Sequence, residues 1–179
     1  LAKRITWGLV AVAIVAFAFF GYEMLCVDSS ELTMSKMDGS WKELATDDVT
    51  IMYQFNKNGE FTEMRTIDDD GTKYGSMCTG TWELSQQGIL GQCISMKYDL
   101  ESLVVDGHNE ETGEVYDESD PTVNEMKQTL YAKYQKENQE VDKYKGTDKV
   151  YGLNNLTFSN DTIKQNGISI MVKIGDINR

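Results

Sequence analysis

A succession of short alternating runs, punctuated by turn residues, constrains this chain more than any other feature. In residues 49–55, Ile51, Tyr53 and Phe55 fall on one side of an extended segment, because successive side chains of a strand point to opposite faces. Asn56-Lys57-Asn58-Gly59 follows, and Asn-Gly between alternating runs is a strong hairpin signal. Residues 61–67 make the return strand, and Asp68-Asp69-Asp70-Gly71 makes the next turn, with Gly71 free to take a positive φ. Runs at 39–45, 76–84, 89–98, 100–105, 152–159, 162–164 and 168–174 complete the series. Eight or nine short antiparallel strands fold by default into a barrel or a sandwich.

One segment breaks the pattern. Asp120-Pro121 has the form of a helix start, a capping side chain followed by proline at the first helical position. Val123, Met126, Leu130, Tyr134, Val141 and Tyr144 then recur at helical spacing until Gly146. The expected insertion is a helix over residues 120–146, with Lys133/Glu137 and Lys136/Glu140 four apart on its wet side. Such a helix either covers a barrel mouth or packs on the outer wall.

Two segments echo each other 41 positions apart, Gly39-Ser40-Trp41 and Gly80-Thr81-Trp82. With the Phe55–Phe61 hairpin between them, this pattern resembles the small lipocalin-like domains exported by Gram-negative bacteria, over residues 37–98 and more loosely over 157–174. The resemblance implies a calycin-like antiparallel barrel with the helix inserted, and a ligand that is unknown for many relatives. Trp41, Tyr53, Phe55, Phe61, Trp82, Met96 and Tyr98 are the residues expected to form the floor and wall of a ligand site in a hollow barrel. Small barrels are also commonly filled by their own side chains, and the same residues then form a solid core.

The chain offers little for catalysis or for metal. The only histidine, His108, lies in the span 99–120, which holds nine acidic residues and no lysine or arginine. That span reads as a solvated acidic loop, since its acids lack the spacing of a calcium loop. No glycine-rich phosphate loop precedes a helix, no zinc spacing occurs, and no nucleophile has a base near it in sequence. The expectation is a non-enzyme without cofactor or metal. A formal charge of -12 also argues against nucleic acid. Cys78 and Cys93 either form a disulfide across neighbouring strands or remain buried thiols. Strand parity sets them on opposite faces unless a bulge at Gly80 shifts one of them.

The N-terminal segment sets the expected address. Residues 5–22 are eighteen positions without a charge, behind Lys3-Arg4. That is the lower limit for a helix crossing ~30 Å of hydrocarbon, and the basic pair marks its cytoplasmic end. Residues 1–28 therefore read as a membrane anchor or signal segment, with residues 29–179 as a domain in the periplasm or at the cell surface. Three attachments remain open: a signal-anchor, cleavage after Ala16-Phe17-Ala18, or lipidation at Cys26. The expected partners are the membrane through residues 5–22, and a small amphiphilic ligand or an envelope protein for the domain. Mass spectrometry of the mature N-terminus distinguishes the three attachments, as an intact segment, a start at Phe19 or an acylated Cys26.

Overall fold

Ten strands of one antiparallel sheet, eight of them closed into a barrel, carry the fold in the computed structural model of the chain. The structure describes residues 31–44, 49–87, 91–145, 147 and 151–175. The strands are β1 (Gly39–Glu43), β2 (Val49–Phe55), β3 (Glu60–Asp69), β4 (Thr72–Gln87), β5 (Gly91–Tyr98), β6 (Val104–Asn109), β7 (Val115–Tyr116), β8 (Leu153–Ser159), β9 (Thr162–Gln165) and β10 (Ile168–Gly175). Two helices join them, α1 (Met34–Met37) and α2 (Pro121–Tyr144). The order β3-β2-β1-β10-β9-β8-β5-β4 closes through a further β3–β4 pairing, which leaves the barrel without free edges.

The chain divides into two compact units, Leu1–Glu31 and Leu32–Arg179. The second contains the whole described barrel and its own buried core, so it is a self-contained folding unit. The membrane segment and the Cys26 lipidation site expected from the sequence lie outside the described residues. Among the described residues, no helix is long and apolar enough to cross a membrane.

The long strand β4 is the organising element. Its partner β3 runs beside it from Thr72 to Thr81. On its other side it is shared, by β6 along Thr72–Met77 and by β5 along Gly80–Gln87. The wall therefore forks, and β6 with β7 departs from the barrel where β5 continues it. Helix α2 packs against β5, β6 and the 3-10 turn Leu100–Ser102, spanning the fork. Val123, Leu130 and Tyr134 are its buried residues. Asn138 holds it to β5: its side-chain oxygen accepts from the Tyr98 N–H at 2.8 Å and its amide nitrogen donates to the Tyr98 carbonyl at 2.8 Å. Both backbone groups of Tyr98 thus meet a side-chain amide in place of a neighbouring strand.

Several sequence expectations hold in detail. The 49–55 strand has the expected bounds, with Ile51, Tyr53 and Phe55 buried. Asp120 caps α2 through the N–H groups of Thr122 and Val123, with Pro121 in the first turn. Asp70 and Gly71 take positive φ between Asp69 and Thr72, which pair as the β3–β4 hairpin.

Others are corrected. Residues 100–105 do not form one strand, because the Asp99 side chain accepts from the Glu101 N–H and starts a 3-10 turn there. β6 begins only at Val104 and extends to Asn109. The acidic span is consequently no structureless loop: it holds β6 and β7, paired at Gly107–Tyr116 and His108–Val115. No bulge occurs at Gly80, where the registers with β3 and β5 run on without a shift.

Cys78 and Cys93 are both buried and are not bonded to each other. Cys93 stands opposite Ser85 and Cys78 opposite Glu63, so the two lie seven residues apart along β4, about 23 Å at ~3.3 Å per residue. A disulfide needs Cα atoms within about 7 Å. The Cys78 thiol contacts the Asp99 carbonyl at 3.4 Å and the Ser102 hydroxyl at 3.6 Å instead.

The paired Gly-x-Trp segments turn out to need glycine for different reasons. Gly39 enters β1 at φ 134, a backbone setting that side chains disfavour. Gly80 lies mid-strand, where a Cβ would meet the Lys97 carbonyl oxygen at 2.2 Å and the Phe61 ring at 2.6 Å. Gly80→Ala is expected to cost about 3 kcal/mol through this overpacking. Urea denaturation of the Leu32–Arg179 unit checks it, and an unchanged midpoint contradicts the close approach.

Candidate functional site

The barrel interior has two ends of unlike chemistry. Toward the Asn56–Gly59 turn it is closed by aromatic rings: Phe55 meets Trp82 edge-on at 5.3 Å and Phe61 at 6.1 Å, and Phe61 meets Tyr98 edge-on at 5.2 Å. Trp82 donates its indole N–H to the carbonyls of Asn56 and Glu60 at 3.1 and 3.0 Å. Trp41 donates to the Met37 carbonyl at 2.8 Å, which ties β1 to α1. Leu32 and Met37 are buried in the same core.

The other end contains charge. Alternation along β3 sends Phe61, Glu63 and Arg65 to the same inner face, so two ionic side chains follow an aromatic one into the barrel. Glu63 is 1% exposed. Its carboxylate accepts from the Tyr98 hydroxyl at 2.7 Å, from the Tyr134 hydroxyl and from Arg65 Nε. Arg65 Nε also lies 3.2 Å from the Tyr134 hydroxyl. The rings of Tyr98 and Tyr134 stack at 4.1 Å, bringing a helix side chain against the barrel wall.

This network explains the charge states. Burial pushes the Glu63 carboxyl up, but the Arg65 hydrogen bond and charge, with the Tyr134 and Tyr98 hydroxyls, outweigh it and hold the group below the usual carboxylate range. Burial opposes the Arg65 charge and Glu63 more than restores it, so the guanidinium stays ionised. Burial raises Tyr53 and Tyr98 well above the ordinary phenol value, and the nearby Glu63 charge raises both further.

Between this network and α2 lies a cavity of about 470 Å³. The barrel contributes Ile51, Tyr53, Arg65, Met96 and Tyr98, with Glu43 at the end of β1. Helix α2 contributes Lys133, Glu137 and Val141, and residues 151–154 close a further side. The Tyr53 hydroxyl donates to Glu43 at 3.3 Å. Lys133 and Glu137 face each other across one helical turn at 3.9 Å. Burial raises Glu137, and the Lys133 charge offsets this in part.

The structure divides the site residues expected from the sequence. Tyr53, Met96 and Tyr98 line the cavity. Trp41, Phe55, Phe61 and Trp82 do not: they are buried in the aromatic end, where ring-to-ring packing fills the interior. The inserted helix is no outer buttress, since Tyr134 reaches the interior carboxylate. Glu63 and Arg65 escaped the sequence reading although the phase of Phe61 already placed them inward. Among the described residues no cluster of His, Cys, Asp and Glu side chains suits a metal ion. No family model, curated protein or solved structure matches this chain.

Removing one member of a buried ion pair leaves the other uncompensated. Glu63→Gln is therefore expected to lower unfolding stability by about 3 kcal/mol at neutral pH. Because Glu63 titrates lower in the folded than in the unfolded chain, its contribution is complete above the ordinary carboxylate range and is lost as pH falls through the folded value. The stability gap between wild type and Glu63→Gln should then close below about pH 4. Chemical denaturation across pH checks it, and a gap that persists or widens in acid contradicts an ionised Glu63.

Proposed function

We propose that the domain is a non-catalytic binding module whose barrel mouth, beneath α2, takes a small amphiphilic molecule. The observation that carries this reading is the position of the cavity. It lies beside a closed aromatic core, is walled by Ile51, Met96, Val141 and Leu153, and also presents Arg65, Glu43 and Lys133. Its volume of about 470 Å³ falls in the range of small-molecule sites, and mixed apolar and polar walls suit a ligand with a head and a tail. The lipocalin-like resemblance of the Gly-x-Trp segments supports the same reading, with Tyr53, Met96 and Tyr98 as the wall on the barrel side.

The buried ionic network supports binding over catalysis. Glu63 holds hydrogen bonds from two tyrosines and an arginine, which stabilise its ionised form and occupy it. A general acid or base needs a proton that moves near working pH, and these partners hold the carboxyl away from that range. The membrane tether and the placement in the bacterial envelope rest on residues 3–28.

A neutral fluorescent amphiphile such as Prodan, titrated into the Leu32–Arg179 unit, should give a saturable blue shift at one-to-one stoichiometry. Met96→Trp, which places an indole in the cavity, should abolish that shift while circular dichroism still reports the folded barrel. An unsaturable response, or equal binding by wild type and Met96→Trp, overturns the reading.

A further inference from the structure

The Arg65 fork is incompletely used. Its Nε serves Glu63 and Tyr134, whereas the two Nη nitrogens make no hydrogen bond to the protein among the described residues. The side chain is only 12% exposed and lines the cavity. The two Nη nitrogens of this cavity-lining residue thus leave four N–H donors of a planar guanidinium for an occupant, and their geometry matches a carboxylate or phosphate.

A purely anionic ligand fits poorly, however. Glu63 already neutralises Arg65, and Lys133 faces Glu137. Glu43 on the same wall forms no ion pair among the described residues and is held by the Tyr53 hydroxyl, in a chain whose formal charge is -12. A purely cationic ligand would satisfy Glu43 but bury the Arg65 donors without a partner, which carries the cost of desolvated polar groups. An occupant bearing both charges meets both demands.

The strand register gives the spacing. Lys42 of β1 pairs with Met52, which sets Glu43 level with Ile51, and Ile51 stands opposite Arg65 on β3. The two backbones are therefore two strands apart, roughly 10 Å, and both residues line the one cavity, so a single head group can meet both charges.

Resting on the binding-module reading, we infer that the cavity selects a zwitterionic amphiphile. Its anionic group docks on the Arg65 Nη nitrogens and its cationic group at the Glu43 carboxylate. The apolar tail lies along Met96 and Val141.

Isothermal titration of the Leu32–Arg179 unit with four octyl amphiphiles below their micellar concentrations tests this: octylphosphocholine, octanoate, octyltrimethylammonium and octyl glucoside. The phosphocholine should bind about tenfold or more tightly than each of the others. Glu43→Gln, at a partly exposed position, should weaken the phosphocholine about fivefold and octyl glucoside by much less. Arg65→Met should act likewise; because it strands Glu63, the Glu63→Gln/Arg65→Met pair provides the same comparison with neither charge present. Equal affinities for all four heads, a preference for either singly charged head, or indifference to Glu43→Gln overturns the zwitterion and leaves the binding module standing. Failure of all four to bind overturns both.

Discussion

A carboxylate buried inside a β-barrel is costly unless its oxygens are filled, and Glu63 is the constraint from which much of this structure follows. Its partners come from three separate places. Arg65 is two residues along the same strand, Tyr98 ends β5, and Tyr134, 71 residues downstream, belongs to the inserted helix. None of them suffices alone. The β3-β4-β5 pairing must form to bring Tyr98 within reach of β3, and α2 must dock to bring Tyr134 inward. The network therefore rewards one position of the helix over others that would bury similar apolar area, because a displaced helix removes a hydroxyl from a charge that cannot reach water.

The same geometry explains why the interior is solid at one end and open at the other. Near the Asn56–Gly59 turn, rings from β2, β3 and β4 interlock, and Gly80 lets Phe61 lie close against the strand. Where β4 divides its edge, β5 continues the barrel wall and β6 leaves it, so the two strands part. A helix is broader than a strand and presents side chains only at intervals of a turn, so it bridges that gap without filling it. Tyr134 and Leu130 close the inner part, while Lys133, Glu137 and Val141 leave a hollow beneath the outer part. The cavity lies between the barrel residues Ile51, Tyr53, Arg65, Met96 and Tyr98 and helix α2, so the insertion that departs from a simple barrel pattern supplies one of its walls.

Much of this was legible in local signals. Period-two alternation placed β2 on its observed residues, turn residues marked the hairpins, and Asp120-Pro121 marked the start of α2. Non-local pairing was less legible. The residues around Cys78 and Cys93 suit a symmetric hairpin, yet the observed register opposes Ser85 to Cys93 and carries Cys78 beside Glu63. Nothing local distinguishes those alternatives, because register is set by which face the whole sheet buries. The acidic span was misread for a related reason. Its charges suggested solvation, but β6 exposes Val104, Asp106 and His108 and turns Val105 and Gly107 inward, so one covered face is enough to make it a strand.

The Glu63–Arg65 pair shows how sequence reading underweights interior charge. Phe61 fixes the phase of β3, and with that phase both ionic residues point inward. A hydrophobicity pattern treats them as evidence that the strand's core face has ended. Physically they mark where the interior changes character, from rings that exclude every other occupant to polar groups that need partners. Glu63 finds its partners within the fold; Arg65 finds Glu63 and Tyr134 at Nε and lines the cavity with the rest of its fork unbonded to the described residues. The difference between these two residues, one satisfied by the fold and the other only in part, separates the group that holds the barrel and helix together from the group left to meet something else.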